Sequence, residues 1–278
     1  MYKERLNRTE IEMLETISAE PCTITELARA MKKSKSYISE SVKHLCQIGF
    51  AEVNNRAVQI AFTPLGNEIS RLIREESIIN RYSLLNGSRL KVLPLVMSPG
   101  YSAHDISRRT GLSPRTVQAI LGKWRQMGIV ILKNHNYTLN PRHESIISLT
   151  EKYIEHRNLS HLKACQPDGM LLWQGRGEYI FSLEHEVAES IYTPAASTRL
   201  IELGYDLISR NAYYHYSPIS TEISRAEALV QSLKLDPLNP RIKRLIRRSI
   251  KDETVTRDEL EIYFNKYAVR MQGKHYDD

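Results

Sequence analysis

Two short polar stretches of the chain carry the side chains best suited to grip another molecule. One holds Lys35, Ser36, Tyr37, Ser39 and Lys43; the other holds Ser113, Arg115, Thr116, Gln118 and Lys123. Both are rich in hydrogen-bond donors, and Glu40 is the one carboxylate that falls among them, where it opposes an anionic partner. Arginine offers a planar fork that matches two acceptors on a guanine edge, glutamine can give and accept at an adenine, and lysines and hydroxyls suit phosphate oxygens. Such chemistry recognises a partner and makes or breaks no bond. Arg115 and Gln118 are the residues suited to base edges. Arg56, in the polar turn 54–56, and Lys133 and His135, in the turn 133–136, suit phosphates or a minor groove, and Arg29, Lys32, Lys33, Arg108 and Arg109 flank two further turns.

A repeated scaffold holds these residues. At a fixed offset of 79, Leu27 falls on Ile106, Ser34 on Ser113, Ile38 on Val117, Val42 on Leu121, Leu45 on Trp124, Ile48 on Met127, Gly49 on Gly128 and Phe50 on Ile129. The apolar positions match and the polar ones differ, as expected of one scaffold with two surfaces. Two copies are too few for a solenoid, which stacks about three or more.

Each copy parses alike. In the first, Ile11, Leu14 and Ile17 at helical spacing predict a helix over 8–18, and a short helix follows over 25–31, capped by Thr23 or Thr25. A third helix runs from a cap at Ser34 or Ser36 to residue 47, with Ile38, Val42 and Leu45 facing inward, and Gly49 ends it. Residues 50–53 and 57–62 read as strands, and Pro64 opens a helix to about residue 85. In the second copy the helices are 89–97, 102–110 and 116–127, the last capped by Ser113 with Pro114 just inside. Ser98-Pro99-Gly100 is a turn, 129–132 and 137–139 are strands, and a helix follows over about 143–156. Trp124 stands where Leu45 does and reads as core.

Three helices and then a hairpin, twice, resemble winged helix-turn-helix domains. Residues 8–74 are similar to the MarR type, including the Phe62-Thr63-Pro64-Leu65-Gly66 return from wing to helix, and residues 89–156 resemble a second winged helix. The tandem is similar to transcription regulators of archaea and bacteria, over roughly 150 residues or a little more than half the chain. The resemblance implies that the third helix of each copy enters a major groove while the hairpin touches the backbone.

Bulk properties agree with a nucleic-acid partner. The net charge is +7, but residues 1–160 hold 23 Lys+Arg against 15 Asp+Glu, while residues 161–278 hold 16 against 17. The whole excess of positive charge therefore lies on the repeats. Hydrophobic residues at 41% suffice for buried cores, and no apolar run approaches the roughly 18 residues of a membrane span. The opening MYKERLNRTEIEML lacks a signal peptide's apolar core, so the cytoplasm is expected. Cys22, Cys46 and Cys165 lie too far apart for a disulfide framework or zinc knuckle and read as reduced thiols.

The last third changes pattern. Residues 170–173 and 178–183 read as a hairpin around Gln174-Gly175-Arg176-Gly177, 194–203 as a helix, and 212–216 as a strand. A helix over 219–235 with Ser220 or Thr221 as its cap follows, then helices 241–251 and 256–267, the latter with Thr256 and Glu259 at capping-box spacing. Glu184, His185 and Glu186 are adjacent, so their side chains diverge and make a poor metal site. Tyr213, Tyr214, His215 and Tyr216 read as packing, and Arg241, Arg244, Arg248 and Lys251 as a solvated face or a second phosphate contact. No G-x-S-x-G, P-loop, H-E-x-x-H or cysteine-based metal motif occurs, so no catalytic residue, metal or cofactor is expected.

The expected fold is mainly α with small β. Two tandem winged helix-turn-helix domains, 1–86 and 87–160, precede an α+β domain, 161–278, that dimerises the chain, senses a small-molecule or protein effector, or both. The expected function is a sequence-specific regulator that binds double-stranded DNA as a homodimer, without membrane contact. A protein-interaction scaffold, a non-specific DNA-packaging protein, and a nucleic-acid enzyme with its chemistry in 161–278 are the rivals.

Overall fold

The computed structural model describes residues 4–75, 78–97, 100–175, 177–187, 191–219 and 222–269. The chain is mainly helical with small antiparallel sheets and divides into two compact units, Met1–His161 and Leu162–Asp278. No helix among the described residues is long and apolar enough to cross a membrane.

Unit 1 opens with α1 (Arg8–Ala19), whose cap Asn7 and N3 residue Glu10 exchange bonds in a capping box. β1 (Cys22–Thr23) leads into α2 (Ile24–Met31), capped by Thr23 and Glu26 in the same way. α3 (Lys35–Ile48) follows, and then the hairpin β2 (Ala51–Asn54) and β3 (Ala57–Ile60). Next come α4 (Pro64–Glu75) and α5 (Ile78–Leu85). The second copy has α6 (Arg89–Val92), a 3-10 turn at Leu93–Val96, α7 (Ala103–Thr110), α8 (Pro114–Gln126) and the hairpin β4 (Val130–Lys133) and β5 (Asn136–Leu139). α9 (Glu144–Cys165) follows, its residues 162–165 belonging to the second unit. One continuous buried cluster, from Leu6 to Tyr153, runs through both copies. Trp124 is fully buried within it, and its indole N–H donates to the Ser83 carbonyl, so α8 is tied to α5 as well as to its own copy.

The repeat extends to single hydrogen bonds. Gly49 N–H donates to Cys46 O and Gly128 N–H to Arg125 O, both at 3.0 Å. Phe50 N–H donates to Leu45 O at 3.0 Å and Ile129 N–H to Trp124 O at 2.8 Å. Cys22 pairs with Val58 in a third strand of the first hairpin, and 79 residues later Tyr101 bridges Tyr137. Residues of the Phe62-to-Gly66 return have plain duties: Thr63 Oγ1 accepts from Gly66 N–H at 3.1 Å, and a Cβ on Gly66 would fall 1.8 Å from the Ala61 carbonyl oxygen.

Several expected boundaries move. The helix expected over 65–85 is described over Pro64–Glu75 and Ile78–Leu85, residues 76 and 77 lying outside the described residues, and Arg81 of α5 donates back to the Ile73 carbonyl and pairs with Glu15 at 3.1 Å. The helix expected over 89–97 is only one α turn followed by 3-10 structure, because Pro94 has no N–H to continue the ladder. α9 runs to Cys165 instead of ending near 156, since a buried Asn158 occupies the inward stripe between Ile154 and Leu162 and hides its apolar period. The expected turn at Ser98 and Pro99, Arg176 of the expected hairpin tip, and the caps expected at Ser220 or Thr221 lie outside the described residues.

Unit 2 is built on β6 (Met170–Gln174), β7 (Tyr179–Leu183), β8 (Tyr192–Pro194) and β9 (Ala212–Tyr216), an antiparallel sheet of order β6-β7-β9-β8. Its helices are α10 (Ala196–Glu202), α11 (Arg225–Leu235), α12 (Pro240–Lys251) and α13 (Arg257–Tyr267). Pro194, expected to open a helix, instead ends the edge strand β8, where a proline is tolerated because no donor is missed. The helix expected from 219 begins at Arg225, capped by Ser224. Apolar residues of β7 and of α10 to α13, among them Ile180, Leu229, Ile242, Ile246 and Leu260, form one core. A second cluster gathers Tyr179, Phe181, Tyr192 and Tyr214, so the aromatic residues of 213–216 pack as expected. Between sheet and helices lies a polar network: Lys266 Nζ stands 3.2 Å from Glu178 and 2.8 Å from Glu227, and Tyr267 donates to Glu227 at 2.6 Å.

Candidate nucleic-acid interface

The candidate interface is made by α3 and α8 and the hairpins that follow them. A turn of three residues, Lys32 to Ser34, separates α2 from α3, and Gly111 to Ser113 separate α7 from α8. The turn residues Lys32 (φ 53) and Gly111 (φ 66), 79 positions apart, both sit in the left-handed region. Lys32 thus takes without a glycine the conformation its counterpart takes with one, a strain of about 1–2 kcal/mol for a residue with a Cβ. Ser34 and Ser113 then cap the next helices, accepting from Tyr37 N–H and Thr116 N–H, each at 3.2 Å.

Helical periodicity decides which side chains are left outside. Ile38, Val42 and Leu45 of α3, and Val117, Ile120, Leu121 and Trp124 of α8, are buried. Lys35, Ser36, Tyr37, Ser39, Glu40 and Lys43 are exposed on α3, and Arg115, Thr116, Gln118 and Lys123 on α8. Ser113 is exposed too, although its hydroxyl is engaged as the cap and lies 2.8 Å from that of Thr116. The Lys33 ammonium lies 6.0 Å from the centre of the Tyr37 ring.

Each hairpin ends in a two-residue turn, Asn55-Arg56 or Asn134-His135, with all four residues at positive φ (48°, 68°, 48° and 65°). Such turns match the twist of the strands they join and present their side chains outward. Arg56, Lys133 and His135 are accordingly exposed. Arg108 is exposed and lies 3.6 Å from Asp105, whereas Arg109 is half-buried, its guanidinium 4.4 Å from the centre of the Tyr101 ring.

The folded chain adds residues to this surface that motif and spacing do not single out. Ala119, Gly122, Arg125 and Gln126 share the exposed face of α8, at the three- and four-residue spacing that leads on from Arg115 and Gln118. That face carries Arg115, Lys123 and Arg125 and no carboxylate. Position 44, which corresponds to Lys123, holds a histidine turned inward: His44 Nδ1 lies 2.7 Å from Glu10 Oε1. Val53 and Leu132, again 79 apart, are exposed apolar residues at the same place on the two hairpins. Strand alternation is the signal that could flag them. At the far end of α3, the His156 ring of α9 covers Gly49, and burial pushes its pKa down while a hydrogen bond with the Gln47 backbone works against that shift.

No protein-family model matches the chain, and no curated protein matches it.

Proposed function

We propose that the chain is a sequence-specific regulator of transcription that binds double-stranded DNA through two winged helix-turn-helix modules. α8 is the principal reader and α3 a second, different one. The observation that carries this reading is the exposed face of α8, where Arg115, Gln118, Lys123 and Arg125 stand together without an acid, beside a hairpin tipped by Lys133 and His135. The confinement of all excess positive charge to residues 1–160 supports it. Arg115 takes a guanine edge and Gln118 an adenine, each worth about 1–3 kcal/mol of discrimination. Ala119 and Gly122 leave room for α8 to lie close to the groove floor. α3 presents Lys35, Lys43 and Glu40, a weaker balance, and Ser36 and Ser39 where α8 has Arg115 and Gln118, so the two helices read different bases.

Unit 2 dimerises the chain, receives an effector, or both, and a two-fold dimer makes the operator partly palindromic. The cytoplasm is the compartment this role requires. A scaffold whose modules bind protein is the rival, and exposure of both reading faces favours DNA over self-contact.

The test is selection of bound duplexes from a random pool by the purified chain at near-physiological salt. An enriched motif is the expected result. Weak, salt-sensitive binding with no enrichment would overturn the reading and point to packaging or to protein partners.

A further inference from the structure

Helix α12 of unit 2 is a second concentration of positive charge. Residues 161–278 hold 16 Lys+Arg and 17 Asp+Glu, yet residues 240–251 contain six of the former and none of the latter, which leaves ten against 17 elsewhere. Ile242 and Ile246 anchor α12 in the core of unit 2, with Leu245 and Ile250 packed beside them. Arg241, Arg244, Arg247, Arg248 and Lys251 are left exposed. From Arg241 to Lys251 the row covers about 15 Å of helix axis.

An ordinary solvated helix face mixes its charges, because like charges three and four residues apart repel. Here the pairs 241/244, 244/248 and 247/251 are all cationic. Among the described residues, the ion pair on these side chains is Arg248 with Asp252, 3.3 Å apart and both exposed. Asp236 and Glu253 stand outside the two ends and do not interleave with the row. The helix therefore carries a repulsion that an anionic partner relieves. Insertion into a membrane is ruled out, since interfacial helices insert an apolar face and the apolar face of α12 is already in the core, which leaves charge alone to hold a bilayer and favours a nucleic-acid backbone. Four arginines against two lysines also favour phosphate oxygens, which accept the guanidinium fork in pairs.

We infer that α12 is a phosphate-binding surface that grips a nucleic-acid backbone. The inference rests on the DNA-binding reading above and extends it: unit 1 reads the sequence, and α12 contributes affinity without sequence preference.

The experiment compares the full chain with a variant carrying Arg241→Gln, Arg244→Gln, Arg248→Gln and Lys251→Gln, on a duplex of about 40 base pairs, across a salt series. The slope of log Kd against log salt is expected to fall by about 0.9 for each phosphate that the variant no longer neutralises, so by roughly three to four in all. Affinity should drop at least tenfold at low salt, while the motif selected from a random pool stays the same. A second variant with the arginines replaced by lysine keeps the charge and should keep the slope, which separates loss of charge from loss of fold. An unchanged slope in the glutamine variant, with wild-type binding intact, overturns the inference alone. A variant that loses binding to phosphatidylserine vesicles but keeps the duplex slope overturns it in favour of a membrane contact. Wild-type chain that binds no duplex sinks both this inference and the reading beneath it.

Discussion

Gly49 and Gly128 hold the same position in the two copies, yet they differ in surroundings, and this gives an internally controlled experiment. Both have positive φ, 85° and 71°, where an alanine is strained by about 1–2 kcal/mol. Part of that is returned, because alanine loses about 0.4–1 kcal/mol less chain entropy than glycine on folding. Around Gly128 an added Cβ meets nothing within 4 Å, so Gly128→Ala should cost about 1 kcal/mol. At Gly49 the Cβ would fall 2.5 Å from the His156 ring, and forcing an extra carbon into a packed site typically costs about 1–3 kcal/mol more. Gly49→Ala should therefore cost about 2–4 kcal/mol. In a His156→Ala background the clash is gone, and the cost of Gly49→Ala should return to that of Gly128→Ala. Urea unfolding read by fluorescence suits the measurement. The chain has two tryptophans, and Trp173→Phe leaves Trp124 as a reporter of unit 1. Equal costs at the two glycines, or a Gly49→Ala cost that survives removal of His156, would refute the packing of α9 against the end of α3.

Gly122 tests the reading face separately from stability. It lies exposed in mid-helix with open space where a Cβ would go, so Gly122→Ala should stabilise unit 1 by about 0.5–1 kcal/mol. Gly122→Leu should fold as well yet weaken duplex binding at least tenfold in a fluorescence anisotropy titration; unchanged affinity would remove α8 from the groove. In unit 2, burial by itself would raise the Glu178 carboxyl, but the His215 ring, its Nε2 3.3 Å from Glu178 Oε2, and the charge of Lys266 outweigh it and hold it at about 2. A carboxyl held below its ordinary 4.5 stabilises the fold fully above that value and loses this contribution as pH falls toward 2. About 2 kcal/mol should be gone by pH 3. Hydrogen exchange of the β7 and β9 amides between pH 6 and 3 should register the loss, and in Glu178→Gln that part of the pH dependence should vanish.

Local chemistry makes much of unit 1 legible from the order of its residues. Serine before an apolar period and glycine after it mark the ends of α3 and α8, and the same residues recur at offset 79. Both hairpins show themselves through their polar turns. What stays hidden depends on distant partners. β1 is two residues long and exists through its pairing with β3, more than thirty positions away. The left-handed backbone of Lys32 leaves no mark on its side chain type, and His44 reads as a surface residue until Glu10 is placed beside it. The length of α9 is masked by the buried Asn158. In unit 2, Glu178, Glu227 and Lys266 come together from widely separated strands and helices, which no spacing rule anticipates. The exposed face of α8 is half legible: Arg115, Gln118 and Lys123 follow from the periodicity, while Ala119 and Gly122 carry no chemistry to draw notice.

The most direct test of base reading by α8 is to repeat the selection from a random duplex pool with Arg115→Ala and with Gln118→Ala beside the wild type. Each variant should relax the selected motif at one or two positions, by about 1–3 kcal/mol of discrimination, and leave the other positions as they were. A motif identical to the wild type's in both variants would contradict base reading by α8, even if overall affinity fell.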